Sequence, residues 1–554
     1  MLKKLVNGPS NSILSAATII MVMIVASRVL GLIRQRVLAH FFVPSQLSLF
    51  FAAFRLPDLV FEVLVYGTLT SAFIPVFTQY LGSDEKAAWK TAGKTVSISL
   101  VFFTFFAVVF GLLAHLIYSL VAPGFSPVEI DQIASFARIL FAAQGFFVIS
   151  YVLTGVLESQ RRFLIPALAP VFYNVGIILG TILFAGKLGL FAPTLGVVIG
   201  AMGHFLIQLP LARKLGFRFV FSLKPDSGVK RIGKLAAPRI IDLSFQQVAK
   251  TVELSLSSII STASYTYVTF ANSLQLLPVS LFGISLAKAA LPTLARQEDD
   301  PEGFKNTIFK TFYQIIFLVL PLAVILIVLR IPIVRLVFGT GIFDWEATVQ
   351  TGMILTAFAI SIPFQAVVAL LARGFYALHD TKTPMVISIV GVIINIAANF
   401  ALVKAFSLPA WAIGAAFSLG VGIQSAVLLV AITKRLKVQS FLATLLPVYK
   451  SIVSALVSGV VMFFLIKIFD RATWVKRISF LGRLDLDIPF EKFVVDTRYS
   501  FNLLVLTVFV AAVGVLVYLS LAFIFKSQEL AAIVRLIQRR RLASLPKEPE
   551  PIST

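Results

Sequence analysis

Four arginines stand in or beside two apolar runs near the start of the chain. Ser27-Arg28-Val29-Leu30-Gly31-Leu32-Ile33-Arg34-Gln35-Arg36 closes a run that begins near Ile13. Phe54-Arg55-Leu56-Pro57-Asp58 opens another that ends near Tyr80. A charge at bilayer depth costs ~2.5–3.5 kcal/mol even on lenient insertion scales, so such residues face a bundle interior or a watery cavity and mark a substrate path. Arginine suits a phosphate better than lysine does, because its planar fork matches two oxygens at once. Ser27 and Arg34 are seven apart, about two helical turns, and share a face; Arg28 projects beside it. One reading is a cation-lined cavity for an anion, with Ser27, Arg28, Arg34 and Arg55 in its wall. The other is that these arginines snorkel to an interface or brace helix packing.

Further polar residues interrupt other apolar runs. Arg55, Asp58 and Glu62 follow i, i+3, i+7 spacing and can neutralise one another on one helix face. The seventh run holds Arg239, Asp242, Gln246, Gln247, Lys250 and Glu253, too many for a lipid-facing helix. Asp242, Gln246, Lys250 and Glu253 step by three and four, which predicts one stripe toward a cavity and makes Lys250 and Glu253 candidates for an intramembrane pair. Lys288 either adds a cavity cation or caps its helix near the headgroups. Asn395 and Asn399, four apart, share a face and suit hydrogen bonding between helices. The four histidines have no ligand spacing, the chain has no cysteine, and no phosphate-binding glycine loop precedes a Lys-Ser/Thr pair. No enzyme site stands out.

The elements that must position these residues are membrane spans. Hydrophobic residues make up 58% of the chain, charged residues only 13%, and mean hydropathy is +0.96. Soluble domains carry roughly 25% charged residues. The net charge of +23 would suggest nucleic acid in a soluble protein. Here the basic residues gather at the ends of apolar runs, and no nucleic-acid motif appears. Runs near 13–38, 46–80, 92–121, 130–158, 164–186, 191–212, 236–263, 266–294, 306–337, 348–377, 384–405, 409–433, 443–469 and 500–526 predict fourteen spans in an all-α polytopic protein. Loops after even-numbered spans carry most Lys and Arg, notably Arg213, Lys214, Arg218, Lys224, Lys230, Arg231 and Lys234, so both termini are expected in the cytoplasm.

An internal repeat orders the first twelve spans. Ser71-Ala72-Phe73-Ile74-Pro75 matches Ala289-Ala290-Leu291-Pro292, with the prolines 217 apart; Gly124 and Gly341 are also 217 apart, and Gly155 and Gly374 are 219 apart. An offset of six spans preserves orientation, which predicts two parallel six-helix lobes, a transporter plan. The expected organisation is a first lobe over 1–215, a basic cytoplasmic linker over 216–235 and a second lobe over 236–435. Helices 13 and 14 follow over 436–526 with an extracytoplasmic loop at 470–499, then a basic tail over 527–554. Glu529 to Arg541 reads as an amphipathic surface helix on anionic lipid, and the chain from Pro546 onward as disordered.

Ser27-Arg28-Val29-Leu30-Gly31-Leu32-Ile33-Arg34, Phe54-Arg55-Leu56-Pro57, Ala72-Phe73-Ile74-Pro75, Arg162-Phe163-Leu164-Ile165-Pro166-Ala167-Leu168-Ala169-Pro170 and Gly374-Phe375-Tyr376-Ala377-Leu378-His379-Asp380-Thr381-Lys382-Thr383-Pro384 together resemble the MurJ (MviN) family of the MOP exporter superfamily. The resemblance implies a V of two lobes, a groove of helices 13 and 14 for a lipid tail, and a bacterial cytoplasmic membrane. It implies outward flipping of lipid II, the undecaprenyl-pyrophosphate-linked peptidoglycan precursor, by alternating access, with membrane lipids and cell-wall synthesis enzymes as neighbours. Competing functions are a flippase for another polyprenyl-linked glycan and a non-transporting scaffold of the same fold. No resident cofactor is implied; Na⁺ or the membrane potential would supply the drive, and Asp242, Asn395 and Asn399 could offer oxygens to Na⁺. Arg28 and Arg34 carry over from the family residue by residue. Gln35 and Ser48 stand where the family carries acids, Phe61 stands where it carries a basic residue, and Ala271-Asn272-Ser273-Leu274 lacks its cavity arginine.

Overall fold

A computed structural model describes residues 13–66, 72–438, 441–470, 499–532 and 535. The expected loop at 470–499 therefore lies almost wholly outside the described residues, as do Arg541 and the chain from Pro546 onward. We number the helices in chain order. α1 is Ile13–Phe41. α2 is a broken run of Pro44–Ala53, Arg55–Phe61, the π-helical Glu62–Tyr66 and Ile74–Ser83. α3 is Glu85–Leu112, extended by Ala114–Val121; α4 is Pro127–Ser159, α5 Leu164–Leu188 and α6 Phe191–Leu215. α7 is Ser227–Ile260 and α8 Ser264–Arg296. α9 is Pro301–Val328, extended by Arg330–Phe338, and α10 is Trp345–Ala359 with Ile362–Ala377. α11 is Lys382–Ala405, α12 Trp411–Arg435, α13 Phe441–Phe469 and α14 Ser500–Ile524.

Ten described helices are long and apolar enough to cross a membrane, and the two bent segments of α10 make eleven. The fourteen expected spans add α1, α2 and α7. These are helical too, but α2 is broken and α7 carries the charges of the seventh run, so neither passes as a plain apolar rod. Two compact units emerge from the contacts. The first is Met1–Leu277 with Val337–Phe358 and Met385–Gly420; the second is Pro278–Leu336 with Ala359–Pro384 and Val421–Thr554.

The order of elements repeats along the chain. A long helix, a short helix and a glycine loop recur as Glu85–Leu112, Ala114–Val121 and Gly124, then as Pro301–Val328, Arg330–Phe338 and Gly341. Two of the three described π segments obey the same offset: Glu62–Tyr66 plus 217 gives the start of Val279–Ile284, while Ala401–Ala405 has no counterpart. Isolated π turns inside α-helices concentrate at functional positions.

The break in α2 has a local cause. Pro57 has no N–H for the carbonyl of Ala53, one turn back. The buried Tyr118 hydroxyl donates to that carbonyl at 2.9 Å and accepts from the Leu56 N–H at 3.3 Å. A side chain of α3 thus completes the backbone bonding that proline interrupts, as burial demands.

α5 and α6 meet glycine against glycine: a Cβ on Gly176 would lie 2.4 Å from the Gly200 Cα, and one on Gly180 would lie 2.7 Å from the Gly196 Cα. Each pair of glycines is four apart along its helix, the small-residue spacing that lets membrane helices approach backbone to backbone. In the second unit, Phe317 of α9, Ala455 of α13 and Tyr518 and Ala522 of α14 form a buried cluster, and the Tyr518 hydroxyl donates to the Phe317 carbonyl at 2.9 Å.

Candidate substrate site

Within the first unit, α2 and α7 are joined by a chain of polar side chains. The Arg55 guanidinium donates through Nη2 to Gln247 Oε1, and Gln247 Nε2 donates to Glu62 Oε2. Lys250 Nζ closes the chain with an ion pair to Glu62 Oε2 at 3.2 Å. Arg55 and Gln247 are buried, whereas Glu62 and Lys250 are half-exposed. Asp58 accepts from Gln144 Nε2 of α4 at 2.7 Å. The i, i+3, i+7 set on α2 is therefore not closed on itself: its members reach across to α4 and α7. Glu62 opens the π segment, where the wider turn moves side chains off the regular helical stripe. Lys250 takes Glu62 as its ion-pair partner in place of Glu253, correcting the expected pair. Glu253 makes no hydrogen bond or ion pair among the described residues and stays within electrostatic reach of Lys250 and Arg55.

α1 brings the other cations. Arg34 lies over the Tyr173 ring of α5, 5.8 Å from its centroid, a cation–π distance. Arg28 is exposed and Ser27 half-buried on the same helix. Arg36 donates to the Val337 carbonyl at 3.0 Å. Gln35 is buried and donates through Nε2 to Ser273 Oγ of α8 at 2.6 Å. Two departures from the family pattern are thus each other's partners. The residue standing for an acid bonds a residue of the segment that lacks the arginine. Ser48, the second neutralised acid position, shares a 2.9 Å hydrogen bond with Thr266 Oγ1 and accepts from the Thr266 N–H at 3.0 Å. Neutral hydrogen bonds fill these positions and leave no buried charge there to compensate.

These bonds belong to a tight girdle at one end of the first unit. Thr266 Oγ1 donates to the Pro44 carbonyl at 2.7 Å and Thr340 Oγ1 to the Ala39 carbonyl at 2.8 Å. Phe270 stacks on Phe338 at 4.3 Å and meets Phe51 edge-on at 5.9 Å. The Gly124 N–H donates to Ser258 Oγ at 3.2 Å, and a Cβ on Gly124 would lie 2.0 Å from the Ser258 carbonyl oxygen. The ends of α1 and α7, the starts of α2 and α8, and the loops before α4 and α10 are drawn together.

The remaining expected residues fall elsewhere. Lys288 is exposed on the part of α8 in the second unit. The side chains of Arg239 and Asp242 lie outside the described residues. Asn399 Nδ2 donates to Asn395 Oδ1 at 2.7 Å, both residues are buried, and Asn399 Oδ1 has no hydrogen-bond partner. An amide oxygen left free in a buried site is the hard donor Na⁺ takes, so this pair fits a share in such a site; the amide-to-amide bond equally fills a structural role. In the Leu378–Pro384 motif, Asp380 accepts from the Thr383 N–H at 3.0 Å and its hydroxyl at 2.7 Å, with Arg435 at 3.3 Å. The Thr383 backbone bond chiefly holds its carboxyl below the ordinary carboxylate range. That motif locks the start of α11.

Sequence reasoning missed Gln144 and Tyr118, polar groups in apolar runs whose roles depend on α2. It also missed the glycine pairs of α5 and α6, whose four-residue spacing was there to be read.

Comparisons with known proteins bear on the family and the fold. The chain is 27% identical to the lipid II flippase MurJ of Burkholderia cenocepacia over 424 residues, covering 74% of this chain and 81% of the relative. It is 27% identical to the probable lipid II flippase MurJ of Thermotoga maritima over 516 residues, covering 92% and 96%. A solved lipid II flippase MurJ in an inward closed conformation superposes with a TM-score of 0.73 at 22% identity, covering 91% of this chain and 98% of that one. An inward-facing multidrug resistance MATE transporter of the MOP superfamily follows at 0.64 and 13% identity, covering 75% and 96%. The family model described as lipid II flippase MurJ matches residues 37–483, most of the sequence, and the chain belongs to that family.

Proposed function

We propose that this chain is a lipid II flippase of the cytoplasmic membrane that moves its substrate outward by alternating access. It is a transporter, not an enzyme. The observation that carries the reading, beside family membership, is the concentration of cations on α1, α2 and α7 in one compact unit. Arg28 and Arg34 offer forks to a pyrophosphate; Arg55 and Lys250, tied together through Gln247 and Glu62, add fixed positive charge beside Glu253. The repeat supports lobes over 1–215 and 236–435, rocking about that site, with α13 and α14 for the lipid tail. Expression in cells depleted of their own lipid II flippase tests the function. Growth is the expected outcome, and lysis despite normal membrane insertion overturns it.

A second reading has its own observation. Gln35 with Ser273, and Ser48 with Thr266, put neutral bonds where the family pattern puts charges. That change suits a different polyprenyl-linked glycan, and competition between lipid II and such glycans for the purified protein separates the two. For energy coupling, Asn399 Oδ1 and Asn395 are the groups on α11 that would join Asp242 in holding Na⁺. The excess of Lys and Arg in the 213–234 loop supports cytoplasmic termini. On that orientation the girdle, which joins the loops on the opposite side, would serve as an extracytoplasmic seal. Lys224→Cys tests this in a chain without native thiols: an impermeant thiol reagent added to intact cells should leave it unlabelled, and labelling reverses the orientation.

A further inference from the structure

A cleft of about 700 Å³ opens in the second unit, between the first turns of α9 and the short segment that follows α14. α9 supplies Lys305, Lys310 and Tyr313; the segment supplies Gln528, Glu529 and Arg535. The segment is a built wall. Ser527 Oγ accepts from the Leu530 N–H at 3.3 Å and donates to the buried Glu529 at 2.6 Å. Lys450 Nζ holds the Phe525 carbonyl at 3.2 Å, and Leu530 packs on the cluster of Phe317, Ala455, Tyr518 and Ala522.

The charges do not cancel. Three cations line the cleft against one carboxylate, a surplus of two. Lys305 pairs with Glu302 at 3.2 Å, outside the lining. Lys310 and Arg535 are exposed and have no hydrogen-bond or ion-pair partner among the described residues. The cleft sits where α9 passes from its polar first turns into the apolar stretch beginning at Phe317, the level at which a span meets headgroups. α14, which leads into that segment, exposes Leu516, Phe523 and Ile524. A ligand with a negative head and apolar tails meets complementary chemistry at both ends.

We propose that this cleft binds the phosphate-bearing headgroup of an anionic membrane lipid, with Lys310 and Arg535 on the phosphate and the acyl chains along α14. It is separate from the α1, α2 and α7 site and stands whether or not lipid II is the cargo. The test measures the thermal midpoint of the full chain in detergent against added phosphatidylglycerol, phosphatidylcholine or inorganic phosphate. Phosphatidylglycerol should raise the midpoint of the wild type and of the charge-matched control Lys187→Gln/Lys214→Gln. Phosphatidylcholine should not. Lys310→Gln/Arg535→Gln should need roughly 25-fold more phosphatidylglycerol for the same rise, at about fivefold per cation. The exchange Lys310→Arg/Arg535→Lys should keep the response, which guards against a folding defect. A Gln double variant that responds like the wild type overturns the site. An equal rise with inorganic phosphate alone overturns the lipid and assigns the cleft to a soluble anion.

Discussion

α5 with α6 and α2 with α7 are two ways of building helices within one unit. The first pair packs backbone on backbone through Gly176, Gly180, Gly196 and Gly200, without a charge at the contact. The second is joined by Arg55, Gln247, Glu62 and Lys250, and its α2 partner is broken at Pro57 and widened at Glu62. Glycine contacts have one good geometry and lose their attraction steeply with separation. Long polar side chains can follow a moving partner. The contrast suits α5 and α6 to bracing and suits α2 and α7 to the binding and movement proposed above.

The largest expected effect breaks the brace. Gly176→Val puts a branched side chain where even a Cβ would lie 2.4 Å from backbone, and should destabilise the protein by ~3 kcal/mol. Thermal midpoint and folded yield should fall together, while flipping per folded molecule falls far less. A stable variant with lost transport would move α5 and α6 from brace to moving part.

Arg55→Ala probes the other pair. Its buried charge-assisted bond to Gln247 is worth ~1.5–3 kcal/mol. Removing it should also free Gln247 and Glu62 to reorient and weaken lipid II affinity. Arg55→Lys should recover part of the stability, because charge returns without the fork. Full affinity in a stable Arg55→Ala protein would confine the residue to structure.

How legible these pairs were follows from the same contrast. The spans expected at 164–186 and 191–212 are helical over Leu164–Leu188 and Phe191–Leu215, because long apolar runs leave a membrane helix little alternative. The run at 46–80 read as one span. Its break at Pro57 is written locally, but Tyr118, which makes the break tolerable, lies on another helix. Lys250 reads naturally with Glu253, one turn away; its choice of Glu62, 188 residues distant, follows from the meeting of α2 and α7. The 217-residue offset was visible as matched Pro and Gly, and its matched π segments were not, since π geometry has no residue signature of its own.

Gly124→Ala tests whether the girdle moves. Its Cβ cannot coexist with the Ser258 carbonyl as placed, so the closed arrangement should be penalised by ~1–3 kcal/mol. Amide exchange over 122–126 and 258–264 should quicken about 5- to 150-fold as the closed population falls, with α5 and α6 unaffected. Unchanged exchange at the girdle, or equal acceleration in the brace, would erase the distinction between the two regions.

The smallest effect lies where the regions touch. Arg34 comes from α1, but the ring beneath it, Tyr173, belongs to α5, and a Cβ on Gly200 would lie 2.5 Å from the Tyr173 carbonyl. The brace therefore fixes the platform on which Arg34, a cation of the proposed site, rests. A cation–π contact contributes ~0.5–2 kcal/mol, depending on how far it is removed from water. Tyr173→Leu should accordingly weaken lipid II binding roughly 2- to 30-fold by loosening the guanidinium. Tyr173→Phe, which keeps the ring, should change it little. Arg34→Ala should exceed both, since it removes the fork itself, and Tyr173→Leu in that background should add almost nothing. Additive losses in the double variant would mean that Tyr173 acts on binding by a route other than Arg34, and the brace would no longer be the support of the site.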